Sequence, residues 1–453
     1  MLDPSAARER AAALVDRARR AGADAADAAY IGDSSEGIQV RLGKLEDVER
    51  SESEYIALRA FVGSASASIG SSDLGDAALD ELAARVVAMA RLAPEDAYAG
   101  LAPQDLLASD DIAGKVLPGL ELADSTEPGP ADLRQLAERA EAAARAVPGV
   151  TNSEGGSASA GRGVFALVTS HGFAGAYEST SRSLSASVIA GEGAGMQRDY
   201  AWRMAHHAAD LPSPEEIGQR AGERAVRRLA PGRLSSGTMP VVFDPRVGGS
   251  LVGHLLGAMS GAAIARGASF LLGREDEQLF DSGVTIIDDP LRARGLRSKP
   301  FDGEGLPTAQ RALVERGRLT GWLLNAAAAR QLGLTPTGHA ARGGGGAPGI
   351  SATNTHIAAG SVSPAALIAD IADGVYVTEL IGQGVNGVTG DYSRGASGFR
   401  IVNGEIAGPV AEFTIAGNLI DMFRAMIPAD DLEWHRAINA PTLRIDGMMI
   451  AGD

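Results

Sequence analysis

At 453 residues the chain exceeds what one ordinary hydrophobic core organises, so two domains are the expectation. Acidic residues outnumber basic ones by 57 to 41, a formal net charge of −16, which disfavours a nucleic-acid backbone as the main partner. The absence of cysteine excludes disulfides, a cysteine nucleophile and thiolate metal ligands. No apolar run reaches the roughly 18 residues of a membrane span, and the first residues are charged and alanine-rich rather than signal-like. A cytoplasmic protein without membrane contact is expected.

In chain order, Asp3 and Pro4 open a predicted helix that ends near Gly22. Alternating runs at 37–42 and 54–63 predict strands with one wet face, and small-residue alternation continues over 64–69. Leu79, Leu82, Val86 and Met89 have the spacing of a buried stripe on a helix over 76–92. Prolines make 93–129 a loop region, a helix is expected over 130–147, and serine-rich strands over 153–160, 164–170 and 183–190. Ser213 and Glu216 form a capping box for a helix reaching about Leu229. Pro231 and Gly232 then mark a boundary, giving an N-terminal α+β domain over 1–230 and a β-rich domain over 231–453.

In that second part, strands are predicted around 284–287, 311–324, 376–380, 399–402, 410–415 and 443–445. Hairpins should turn at 315–317 and at Asn403-Gly404. Helices are expected over 326–332, 364–372 and 419–426. The stretch that draws most notice is a strand at Val241–Phe243 followed by a helix over 245–264, with Asp244 as cap and Pro245 at the first turn. Gly249, Gly253, Gly257 and Gly261 recur every four residues along one face of it. Each glycine costs about 1 kcal/mol against alanine in a helix interior, so the row predicts a backbone or ligand in close approach. His254 lies beside it, on an apolar face with Val247, Leu251 and Ala258.

Other constellations carry weaker chemistry. Gly382, Gly384 and Gly387 match G-x-G-x-x-G, but a loop follows where a dinucleotide fold needs a helix. The run Gly343–Gly346 lacks the lysine of a phosphate loop and reads as a surface loop. None of the seven histidines sits in an H-E-x-x-H pattern; His206 and His207 are expected to be exposed, and His339 follows a Thr-Gly turn. Asp302 and Glu304 form a glycine-framed carboxylate pair, able to do acid–base work or to hold a turn. Asp391 and Arg394, also between glycines, are candidates for a cleft-lining loop.

Five stretches together resemble one family: FDPRVGGSLVGHLLGAMSGAAIARGASFL, VTIIDDPLRARGLRSKPFDGEG, LLNAAAARQLGLTPTGHAARG, GQGVNGVTGDYSRGASGF and APTLRIDGMMIAG. The chain resembles the TldD/PmbA family, known also as modulators of DNA gyrase, and is most similar to its PmbA (TldE) branch. The resemblance implies a zinc peptidase system in which a TldD-type and a TldE-type chain pair around a cleft that processes peptides. In the TldD-type chain, a helix carrying H-E-x-x-x-H and a later cysteine hold the metal, and the glutamate is the expected base for a zinc-bound water. On this chain that motif falls on Gly249, Ser250 and His254, so only its last histidine remains. The resemblance thus implies a subunit with no metal or other cofactor of its own and no catalytic residue, paired with a zinc-bearing TldD-type paralogue. His254, Asp302, Glu304, His339, Asp391 and Arg394 are then candidates to line the substrate cleft. The alternatives are an autonomous homodimeric metallopeptidase using His254, or a non-proteolytic peptide-binding or regulatory protein.

Overall fold

Asp3 accepts hydrogen bonds from the Ser5 and Ala6 backbone N–H groups and so starts helix α1 (Pro4–Arg20) where its cap chemistry demands. The computed structural model describes residues 1–343 and 345–453, and only the backbone of residues 110–113. The first sheet is built from β1 (Ala25–Arg41), β2 (Lys44–Val62), β3 (Ala65–Ser71), β4 (Val150–Thr169), β5 (Ala174–Ala190) and β6 (Gln197–Ala205). It is antiparallel throughout, in the order β3-β2-β1-β4-β5-β6, which leaves β6 at an edge.

Helices α2 (Asp76–Leu92), α3 (Asp110–Leu120), α4 (Pro130–Arg145) and α5 (Pro214–Arg227) accompany this sheet. Its long strands serve two separate cores. At one end Ala26, Ala28, Ile56 and Leu58 pack against Leu14 of α1 and Leu79 of α2. At the other, Ile38, Val40 and Leu184 pack against Leu133 of α4 and Ile217 of α5.

Several expectations are corrected here. Residues 153–160 and 164–170 are not two strands but one, because Gly161 and Gly163 keep strand pairing with Ser35 and Asp33 instead of turning. A Cβ at Gly161 would lie 2.7 Å from Ser181 Oγ and 3.3 Å from the Ser34 carbonyl oxygen, so that glycine sits among close neighbours within a continuous strand. The loop region over 93–129 contains α3. Met89 closes no buried stripe; it is 41% exposed.

The second half opens with β7 (Gly237–Phe243), α6 (Pro245–Ala258) and α7 (Gly261–Ala265). Short strands follow: β8 (Ile286–Asp288), β9 (Arg311–Glu315) and β10 (Arg318–Leu319). After α8 (Ala326–Leu332) come β11 (Ala340–Ala341), β12 (Gly349–Ile350), β13 (Thr355–Ile357) and α9 (Pro364–Ile368). The long hairpin β14 (Asp373–Ile381), β15 (Asp391–Val402) and β16 (Glu405–Asn418) precedes α10 (Leu419–Arg424), β17 (Met426–Pro428), β18 (Ile438–Asn439) and β19 (Leu443–Ala451). The β15–β16 turn falls at Asn403 and Gly404, as the dipeptide predicts.

The main sheet of this half runs β16-β15-β14-β7-β19-β17, and β16 also pairs with β19. Five strands therefore close into a ring. One face of it carries Val241, Phe243, Val377, Phe413 and Ile445 against Leu251, Leu255 and Met259 of α6 and its continuation. The predicted helix over 245–264 is broken after Ala258. The Met259 carbonyl accepts from Leu323 N–H at 3.0 Å and Gly261 N–H donates to the Leu323 carbonyl at 2.8 Å, so a bridge to a neighbouring segment replaces the next helical bonds. The fold is α+β overall. No helix among the described residues is long and apolar enough to cross a membrane.

Candidate functional site

Helix α6 is positioned from its first residue. The Asp244 N–H donates to the Val377 carbonyl, its carboxylate accepts from Arg246 N–H at 2.9 Å, and Tyr376 Oη donates to its other oxygen at 3.0 Å. Arg246 then reaches out of the first turn. Its Nε donates to the Thr378 carbonyl at 2.6 Å, and its two terminal nitrogens grip both oxygens of Asp199 on β6 at 2.9 and 3.1 Å. That two-pronged bond ties α6 to the edge strand of the first sheet. Arg228 continues the chain of charge, 3.4 Å from Asp199 and 2.5 Å from Glu379, which also accepts from Ser397 Oγ.

Between these elements lies a cavity of about 610 Å³. Gly249, Ser250 and Gly253 of α6 form one wall. The opposite sides come from β6, the end of β14, Arg394 of β15 and the 436–438 segment. Burial pushes the Asp199 carboxyl up, but the Arg246 and Arg228 guanidiniums outweigh it and hold the group below its usual range. Glu379 is treated alike: burial opposes ionisation, and Arg228 overcomes it. Both lining carboxylates are thus ionised and occupied, and neither is set up as a general base at neutral pH.

The positions where the zinc motif would fall do not fit that metal. Gly249 brings no side chain, and a Cβ there would sit 3.0 Å from the Ile438 carbonyl oxygen. Ser250 Oγ donates to the Val247 carbonyl at 2.7 Å, a bond within its own helix. His254 Nε2 is buried with no hydrogen-bond partner. Its ring meets Tyr392 edge-on at 6.0 Å between centroids. Burial, and then the nearby charge of Arg394, push the imidazole below its usual pKa. Among the described residues, no three His, Cys, Asp or Glu side chains converge as a metal-ligand set. A single neutral imidazole beside a guanidinium offers a hydrogen bond, not a cation site. The Tyr392 hydroxyl and Arg394 Nε are likewise buried without partners, so three unsatisfied polar groups gather where β15 passes α6.

Of the predicted site residues, Gly249, Ser250, His254 and Arg394 come together. The others do not join them. Asp302 is 1% exposed, and its carboxylate accepts from Glu304, Leu306 and Ala340 N–H groups at 2.8–3.0 Å. Glu304, also buried, accepts from Ala326 N–H at 2.7 Å. Burial pushes both carboxyls up. They hold a turn in the seam between the two halves, where Phe301 packs against Phe173 and Tyr177 at 4.8 and 5.5 Å between centroids. Gly305, at φ +86°, is required there because a Cβ would lie 2.6 Å from the Phe173 ring.

His339 is buried between Thr337 Oγ1 and Asp288. Asp391 is exposed and fixes its own loop by accepting from Thr389 Oγ1 and Asn418 Nδ2. His206 is buried, not exposed, with its ring nitrogens on the Thr180 and Gly295 carbonyls. The glycine run at 343–346 includes Gly344, which lies outside the described residues. The glycine row of α6 makes close approaches only at its ends: a Cβ at Gly261 would meet Leu324 at 2.3 Å, whereas Gly253 and Gly257 have nothing within 4 Å.

Sequence reading missed Asp199, Arg228, Arg246 and Glu379 altogether. The one available signal was the alternation Arg198, Tyr200, Trp202, which marks β6 as a strand with a decorated face.

Comparison with known proteins completes the description. Models of the PmbA/TldA metallopeptidase domain 1, central domain and C-terminal domain match residues 26–90, 123–229 and 236–452. The chain is 38% identical to the Escherichia coli O157:H7 protein named Metalloprotease PmbA, over 95% of this chain and 92% of that one. It is 35% identical to the Metalloprotease PmbA homolog of Haemophilus influenzae, over 97% and 94%. Among solved structures, a Bacteroides thetaiotaomicron protein labelled a modulator of DNA gyrase superposes with a TM-score of 0.88 at 25% identity, covering 98% of this chain and 99% of that one. TldE from Thermococcus kodakarensis shares the fold with a TM-score of 0.83 at 19% identity, over 98% and 100%.

Proposed function

The chain belongs to the PmbA/TldD metallopeptidase family, and from that premise we propose that it is the TldE-like subunit of a two-chain peptidase. In this reading it shapes a peptide cleft, while a TldD-type paralogue supplies zinc and the attacking water. The pairing takes place in the cytoplasm. One observation carries the reading: on α6 the helical positions for a metal ligand and a carboxylate base are held by Gly249 and by Ser250, whose hydroxyl is spent on its own backbone. His254 alone gives an imidazole with no second donor. The names of the Escherichia coli O157:H7 and Haemophilus influenzae relatives support the assignment to the PmbA branch.

The test is metal content and peptide hydrolysis of the purified chain, alone and mixed with a TldD-type chain. The expected outcome is no stoichiometric zinc and no hydrolysis alone, with hydrolysis on mixing. Zinc at one equivalent with hydrolysis by this chain alone, abolished by His254→Ala, would replace the reading with an autonomous peptidase.

A further inference from the structure

A chain carrying a net charge of −16 surrounds one cavity with six guanidiniums and only two carboxylates. The six are Arg198, Arg228, Arg246, Arg297, Arg394 and Arg436. They converge from β6, the end of α5, the first turn of α6, the loop before Phe301, β15 and the segment before β18. The two carboxylates, Asp199 and Glu379, are already occupied by Arg246 and Arg228. Arg198 turns toward Glu154, outside the cavity. Arg436 lies over the Trp202 ring, Arg394 Nε is buried without a partner, and among the described residues neither these two nor Arg297 has an ion pair. The opening turn of α6 also faces the cavity through Pro245, Arg246 and Val247, and the positive end of a helix 14 residues long adds to the field.

A cleft whose lining carries an excess of one sign of charge raises the local potential and selects for the opposite charge. Burying an unpartnered guanidinium nitrogen is costly unless a ligand satisfies it. We propose that this cavity is a receptor for a carboxylate-bearing peptide segment, gripped by Arg394, Arg436 and Arg297. The proposal deepens the partner-subunit reading and rests on it for the source of the peptide.

Two observations favour peptide carboxylates over other anions. Inside the cavity Arg246 already holds a carboxylate in a two-pronged grip, so the geometry for that group is built. The volume of about 610 Å³, with the three guanidiniums that have no ion pair arriving from separate elements, suits an extended segment with spaced charges better than a single small anion. The acidic remainder of the chain repels a long polyanion such as nucleic acid.

Isothermal titration of the full chain with a short capped peptide alternating glycine and glutamate, and with its glutamine counterpart, tests this. The glutamate peptide should bind at least about ten-fold more tightly, and added salt should weaken it. Arg394→Gln and Arg436→Gln should each remove most of that preference while the circular dichroism spectrum keeps its parental shape. A glutamine peptide left with a free C-terminal carboxylate distinguishes a chain end from acidic side chains as the source; binding restored by it supports the site. Equal affinity for the glutamate and glutamine peptides, insensitivity to both arginine substitutions, or equally tight competition by inorganic phosphate would overturn the proposal. The measurement needs neither a second chain nor hydrolysis, so its failure leaves the partner-subunit reading standing. Zinc-dependent hydrolysis by this chain alone would sink that reading without touching the cavity.

Discussion

His254 is held neutral by burial and by the positive charge of Arg394, with its Nε2 unsatisfied. Because its folded pKa lies below its ordinary value, the unfolded chain binds the proton more readily than the folded one. Protonation therefore works against the fold: the contribution is neutral above the unfolded value of about 6.5 and becomes destabilising as pH falls below it. His254→Asn removes that titration. Between about pH 7 and pH 5, the parent should lose more stability than the variant in urea unfolding. Parallel losses would show that the imidazole titrates as freely in the folded chain as in the unfolded one.

The helix α6 turns its glycines to two different uses. At Gly261, beyond its end, a methyl group would collide with Leu324 and approach the Leu323 carbonyl. Gly261→Ala should cost roughly 2 kcal/mol through overpacking. Gly253 faces the open cavity, so Gly253→Ala should instead stabilise by about 1 kcal/mol, the ordinary helical preference. Opposite signs in paired chemical denaturation experiments are the expected result; a shared sign would mean the row acts as one packing surface.

The same helix illustrates what was legible beforehand. Its start was readable because Asp244 and Pro245 act locally, as were the capping box at Ser213 and the turn at Asn403-Gly404. Its end was not, because the bridge from Met259 and Gly261 to Leu323 joins segments more than sixty residues apart. The cavity was invisible for the same reason. Arg228, Arg246 and Asp199 become a site only when three distant elements meet, and no spacing in the chain announces that.

Across the molecule, the two halves are joined by buried charge as well as by aromatic rings. Asp27 of β1 lies 2.5 Å from Arg59 of β2 and 2.7 Å from Arg342 of the second half, and Arg59 reaches toward Glu304 at 3.9 Å. Burial pushes the Asp27 carboxyl up, but Arg342 and Arg59 together hold it below its usual range. Asp27→Asn leaves two buried guanidiniums without their shared anion and should cost about 3 kcal/mol or more in urea unfolding. A loss below about 1 kcal/mol would mean that this buried cluster adds little to the seam beyond its other contacts.

The five-stranded ring of the second half has a different consequence, for speed rather than strength. Its seam is the pairing of β7 with β19, whose partners lie about two hundred residues apart. β14 joins the other side of β7 in parallel, which no hairpin can deliver. Closure must therefore wait on a long search through chain entropy, while the β14–β15–β16 meander can zip locally at its turns. α6, which forms one wall of the cavity, follows β7 directly, so that wall is anchored through the pairings of longest reach in the ring.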